Sequence, residues 1–129
     1  MKDLRLAITI NKPAKVIFEF ALNPKNTPTW VDFITVEETN EWPPKLGTIY
    51  RNQNPAGEWR EYELTAFKPN KEFVLSKKGG YHVRYTLRPI DENTTKLEYY
   101  EWIDNGELTE VLTQDVLEKL KRVIEEETV

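Results

Sequence analysis

A chain of 129 residues and 15.2 kDa, 39% hydrophobic and 31% charged, is sized for one globular domain, 1–129, with an apolar core and no room for a second domain. Its formal net charge of -4, without any run of Lys or Arg, excludes the electrostatic footprint that nucleic acid or an anionic membrane surface requires. The absence of cysteine removes disulfides, thiol nucleophiles and thiolate metal sites, and no stretch approaches the roughly 20 apolar residues of a membrane span, so a cytoplasmic location is expected.

Leu4, Leu6, Ile8 and Ile10 alternate with Asp3, Arg5, Ala7 and Thr9, the period of a half-buried strand. Asn11 then offers a side-chain cap, Pro13 suits a first helical turn, and Val16, Ile17, Phe20 and Ala21 recur at helical spacing until Asn23-Pro24. The stretch from Asn26 to Phe33 predicts a second, irregular helical segment with Trp30 and Phe33 on one side, a lid-like connection. Short strand-like runs follow between turn signals: Ile34 to Thr39, Thr48 to Asn52, Trp59 to Phe67, Phe73 to Lys77, Tyr81 to Leu87 and Lys96 to Ile103. Gly79-Gly80 between two of them reads as a hairpin turn rather than a phosphate loop. Spacing this short suits antiparallel neighbours. After Asp104-Asn105-Gly106 the pattern becomes helical, with Leu108, Val111, Leu112, Val116, Leu120, Val123 and Ile124 as one apolar stripe.

Several local motifs share this order. Ile8-Thr9-Ile10-Asn11-Lys12-Pro13 leads an apolar strand into a helix, Asn23-Pro24 precedes Thr29-Trp30, Gly47-Thr48-Ile49-Tyr50 puts a glycine before an apolar strand, and Tyr62-Glu63-Leu64-Thr65-Ala66-Phe67-Lys68-Pro69 carries a hairpin signature. Together they resemble the helix-grip or START-like superfamily, also called SRPBCC, along nearly the whole chain. The resemblance implies an α+β fold, with a curved antiparallel sheet of about six to seven strands around a long C-terminal helix, two short helices after the first strand, and an apolar cavity between sheet and helix. Little separates the last strand from the terminal helix. The chain therefore resembles the compact members, described as polyketide cyclase or dehydratase-like or as small hydrophobic-ligand carriers. Superfamily members also include lipid transporters, hormone receptors and co-chaperones, so the fold implies a pocket without choosing its occupant.

Alternation assigns the faces of the strands. Tyr62, Leu64 and Ala66 point inward, as do Tyr81, Val83, Tyr85 and Leu87, while on the last strand Leu97, Tyr99, Glu101 and Ile103 share the apolar face. Glu101 is thereby the candidate catalytic residue: a buried carboxylate serves as acid, base or anchor for a ligand hydroxyl, or else it reaches water at the sheet end or pairs with a lysine of the terminal helix. The remaining candidate ligand-binding residues are Phe20, Trp30, Phe33, Tyr50, Tyr62, Leu64, Leu75, Val83, Tyr85, Tyr99, Leu112, Val116 and Leu120, a mostly apolar wall with tyrosine hydroxyls as its convergent polar groups, or equally the filling of a solid core.

Tyr100 and Trp102 fall on the outer face, where with Trp59 they offer a surface for a homodimer or a protein partner. The single histidine, His82, lies on the polar face without a second metal ligand, and no Ser-His-Asp arrangement can be built on it. Glu61 and Glu63 read as solvated cross-strand charges. The expected function is binding of a small hydrophobic or aromatic molecule, a lipid or polyketide-like compound, without a cofactor. The alternatives are a cyclase or dehydratase using Glu101 and a tyrosine, and a ligand-free interaction module.

Overall fold

The computed structural model describes residues 1–109 and 111–127. Seven strands, β1 (Asp3–Ile10), β2 (Val36–Thr39), β3 (Ile49–Gln53), β4 (Trp59–Lys68), β5 (Glu72–Lys77), β6 (Tyr81–Asp91) and β7 (Thr94–Ile103), are joined by helix α1 (Ala14–Leu22), one 3-10 turn (Thr27–Thr29) and helix α2 (Gln114–Glu127). They form one antiparallel sheet in the order β1-β7-β6-β5-β4-β3-β2. Strands β2 to β7 thus pair with their sequence neighbours, and β1 closes the sheet by pairing with the last strand. Helix α1 packs against β6 and α2 against β1. The α+β helix-grip architecture expected from the sequence is the one observed.

The core lies between the concave face and the two helices. Ile10, Ile17, Leu64, Leu97, Leu117, Leu120 and Ile124 are all completely buried. In α2 the spacing of Leu117, Leu120 and Ile124 places them on one stripe, each contributing about 2 kcal/mol by leaving water. Val116 and Val123 flank that stripe half-buried. The outward face of α2 carries the charges. Lys121 donates to the Thr9 carbonyl at 2.6 Å and Lys119 to Asp32 at 2.7 Å, which ties the helix to β1 and to the segment after the 3-10 turn.

Four local expectations need correction. The second short helix is only the three-residue 3-10 turn, with Pro28 in its first turn where a missing N–H costs nothing, and the chain extends again toward β2. Asn11 does not cap α1, where Pro13 occupies the cap position with no side-chain bond; the Asn11 backbone N–H donates instead to Glu125 of α2 at 2.9 Å. A register shift between Leu64 and Ala66 moves the inward position of β4 by one residue. Phe67, not Ala66, then pairs with Phe73 and brings its ring 5.6 Å from Phe18.

The fourth correction is the start of the terminal helix. Leu108, Val111 and Leu112 precede it: the Leu108 N–H bonds the Met1 carbonyl at 2.9 Å and the Leu112 N–H bonds Glu101 Oε1 at 3.2 Å. These partners on the sheet take the amides that a longer helix would have used. The helix begins only where the Thr113 carbonyl accepts from Leu117 at 3.3 Å, with Asp115 favourably placed near the positive end of the helix dipole.

Candidate functional site

The rows of residues across the concave face follow directly from the pairing register. Tyr99, Tyr85, Phe73 and Phe67 are successive partners from β7 to β4, and so are Glu101, Val83, Leu75 and Leu64. In the first row Phe73 stacks on Tyr85 at 4.6 Å, and Tyr85 meets Tyr99 edge-on at 5.3 Å. A third row is polar: Glu37 of β2 pairs with Asn52 of β3, and Asn52 with Arg60 of β4. Beside it Tyr50 pairs with Tyr62.

These rows line an open cavity of about 440 Å³, bordered also by Trp30, Val31, Phe33 and Ile34 and by Glu107, Leu108, Thr109 and Leu112 ahead of α2. Ten of the fourteen sequence candidates line it: Trp30, Phe33, Tyr50, Tyr62 and Leu75, together with Val83, Tyr85, Tyr99, Glu101 and Leu112. The other four do not. Phe20, Leu64 and Leu120 are buried in the packed core and Val116 lies at its margin, because the helices seal one end of the concave face and leave the other open.

Glu101 is 1% exposed, and three donors surround it. Tyr81 Oη donates to Oε2 at 2.5 Å, Tyr99 Oη to the same oxygen at 3.0 Å, and the Leu112 N–H to Oε1 at 3.2 Å. The lysines of α2 turn elsewhere, Lys119 to Asp32 and Lys121 to the Thr9 carbonyl. Burial first, and then the hydrogen bond and charge of Glu101, push the Tyr81 hydroxyl far above its ordinary value. Burial likewise raises Tyr99, with neighbouring Tyr81, Tyr85 and Glu101 adding to it. The tyrosines stay protonated and act as donors.

A second carboxylate, missed in the sequence, occupies the opposite edge of the sheet. Glu37 Oε1 accepts from Thr27 Oγ1 at 2.7 Å and Oε2 from Asn52 Nδ2 at 3.3 Å. Burial raises its carboxyl above the ordinary value of 4.5, against the two hydrogen bonds. Nothing in Val36-Glu37-Glu38-Thr39 distinguishes Glu37 from Glu38. Asn52, by contrast, shares a face with Tyr50, so extending that alternation by two would have found it. Tyr81 was legible in the same way from Val83 and Tyr85. Tyr50 is a different case: its hydroxyl donates to the Leu22 carbonyl at 2.7 Å, fastening the end of α1 rather than facing the cavity as a free polar group.

The outer face overturns one expectation. Ser76, His82 and Asp104 do assemble there: Ser76 Oγ and His82 Nδ1 are 2.7 Å apart, and His82 Nε2 lies 3.1 Å from Asp104 Oδ2. The Gly79-Gly80 hairpin makes this possible, since Gly80 at φ +90° passes so close to Asp104 that an added Cβ would sit 2.8 Å from its Oδ2. None of the three lines the cavity. His82 also stacks on Trp102 at 4.8 Å, Trp102 on Tyr100 at 4.9 Å, and the Arg5 guanidinium sits 3.8 Å above the Tyr100 ring. Tyr100 and Trp102 are thus half-covered by their own sheet, whereas Trp59, expected beside them, is 44% exposed and borders the cavity. Among the described residues there is no cluster of three or more His, Asp or Glu able to hold a metal ion, and no helix long and apolar enough to cross a membrane.

No family model and no curated protein matches the chain. Solved structures do. The protein XoxI from Bacillus cereus aligns with a TM-score of 0.76 at 14% identity, covering 100% of this chain and 99% of the other. A conserved protein of unknown function from Enterococcus faecalis, EF2215, aligns at 0.73 and 15% identity over 95% of this chain and 70% of its own. Ara h 8.0201 aligns at 0.69 and 11% identity, covering 96% of this chain and 97% of the other. Likeness at such identities concerns the fold: the chain is a helix-grip α+β protein, a curved antiparallel sheet packed on a C-terminal helix.

Proposed function

We propose that this chain binds a small, predominantly apolar molecule in the cavity between the concave sheet, the 30–34 segment and the residues Glu107, Leu108, Thr109 and Leu112. The observation that carries the proposal is the cavity itself. Its volume of about 440 Å³ falls in the range of ligand sites, and aromatic and aliphatic side chains share its walls with polar groups such as Glu37, Asn52, Arg60 and Glu101. Burial of ligand surface at about 25 cal/mol per Å² supplies the affinity. Glu101 is an orienting group in this reading. Its Oε2 takes two tyrosine hydroxyls and its Oε1 only the Leu112 amide, so Oε1 keeps an acceptor site for a ligand hydroxyl. The kinship proposed here is with the compact START-like proteins, and the cysteine-free sequence fits a cytoplasmic carrier.

Native mass spectrometry of freshly purified protein and a thermal-shift panel of apolar and aromatic compounds test the reading. The expected result is a retained small molecule or stabilisation by panel members, lost in Val83→Trp, which fills the cavity. An unliganded protein that no panel member stabilises would sink it.

A further inference from the structure

Three tyrosines of the cavity wall spend their hydroxyls inside the fold: Tyr50 on the Leu22 carbonyl, Tyr81 and Tyr99 on Glu101. Tyr85 does not. The pairing register sets it on the concave face between Phe73 and Tyr99, and contact with both rings fixes its own. Among the described residues nothing hydrogen-bonds its hydroxyl. The groups whose charge that hydroxyl feels are Glu37, Glu101 and Tyr62, all in the cavity wall, so it lies on the cavity side of the sheet. It is also within reach. Trp30 Nε1 and Asn52 Oδ1 lack partners but are sealed from any guest, whereas the half-buried Tyr85 keeps its hydroxyl at the surface of the cavity. A polar group left free beside apolar walls is what orients a bound molecule.

The state of the hydroxyl decides what it can hold. Burial first, and then the charges of Glu37 and Glu101, push it far above its ordinary value, so it is a neutral phenol with one proton to donate. The same carboxylates oppose any negative charge brought to this point, and the described lining holds Glu37, Glu58, Glu101 and Glu107 against Arg60 and Lys77. A ligand carboxylate is therefore the wrong acceptor. An ammonium accepts nothing, and it would give up its water beside Phe73, Leu75 and Val83. A carbonyl oxygen accepts the bond and brings neither charge nor a further donor in need of a partner.

Building on the binding function proposed above, we propose that the ligand is a neutral carbonyl compound with apolar, ring-containing arms, of the aromatic ketone type, whose carbonyl oxygen accepts from Tyr85 Oη. Four compounds of one shape test it: diphenylmethane, benzophenone, diphenylacetate and benzhydrylamine, each titrated calorimetrically into the full chain near neutral pH. Benzophenone is expected to bind about fivefold tighter than diphenylmethane, the worth of one hydrogen bond, and at least about fivefold tighter than either charged compound. In Tyr85→Phe the advantage over diphenylmethane should shrink to less than about twofold. Diphenylmethane should bind that variant as it binds wild type, and the variant should unfold as wild type does, because the fold makes no use of the missing oxygen. Equal binding of diphenylmethane and benzophenone would show that the hydroxyl holds no ligand and would overturn the inference. So would an advantage that survives in Tyr85→Phe, a diphenylacetate that matches benzophenone, or benzhydrylamine as the tightest binder. Failure of all four compounds, diphenylmethane included, would instead remove the binding function on which the inference rests.

Discussion

Glu101 shows how a buried charge is held by what surrounds it. Removing the carboxylate strands two tyrosine hydroxyls and the Leu112 amide, so Glu101→Ala is expected to lower stability by about 3 kcal/mol in urea unfolding. Glu101→Gln should cost under about 1 kcal/mol, because the amide nitrogen can donate to the tyrosine oxygens while its carbonyl still accepts from Leu112. Equal losses in the two variants would contradict this account of the site. Glu37 makes a pH prediction of definite sign. Its carboxyl is raised in the folded state, so between the ordinary value of 4.5 and the raised one the native chain holds more proton than the unfolded chain. That contribution to stability falls as pH rises through the window. Glu37→Gln should therefore gain on wild type from mildly acid to neutral pH in urea titrations, and a pH-independent difference would refute the assignment. The sequence made Glu101 legible because a carboxylate interrupts the run Leu97, Tyr99, Ile103. Glu37 stayed hidden because it shares a four-residue strand with Glu38 and Thr39, where alternation carries little contrast.

Element boundaries depend on partners as much as on periodicity. The strands from β3 to β7 were legible because turn signals of proline, glycine or asparagine separate them at short spacing. The 107–112 connection was not, since its leucines keep a helical period while their amides bond Met1 and Glu101 across more distant sequence. The same cause hid Leu117: once the helix is taken to start at Leu108, Val116 looks like the core position and Leu117 does not. Leu117 is completely buried and Val116 only half-buried, so Leu117→Ala should cost about 3 kcal/mol and Val116→Ala about 1 kcal/mol by thermal or urea unfolding. Reversed magnitudes would mean that the helix is rotated. The bulge at Leu64/Ala66 is a further event no pattern announces: Thr65-Ala66-Phe67 offers no glycine to mark it, and it is read only from the way Phe67 joins Phe18 and Phe73. At the β5–β6 hairpin, Gly80→Ala combines positive φ with a collision against Asp104 and should destabilise by about 1–2 kcal/mol.

For the molecule as a whole, the order of elements was the most legible property, and the position of the cavity within it the least. The helices could have lain anywhere along the concave face. Where they settle depends on Lys119 reaching Asp32, Lys121 reaching the Thr9 carbonyl and Tyr50 reaching Leu22, contacts between residues far apart in sequence. A cognate ligand present at about a hundred times its dissociation constant should add about 2.7 kcal/mol to the unfolding free energy, visible as a concentration-dependent rise in melting temperature. The strand order also bears on how the chain reaches this state. Strands β2 to β7 can zip as successive hairpins, whereas β1 must find β7 across most of the chain, as in the pairing of Asp3 with Trp102. Such a closure carries a large loop entropy before any contact rewards it. The meander should therefore form early and the β1–α2 clasp late, so that the concave face stands open to solvent, and to any hydrophobic guest, until the final stage of folding.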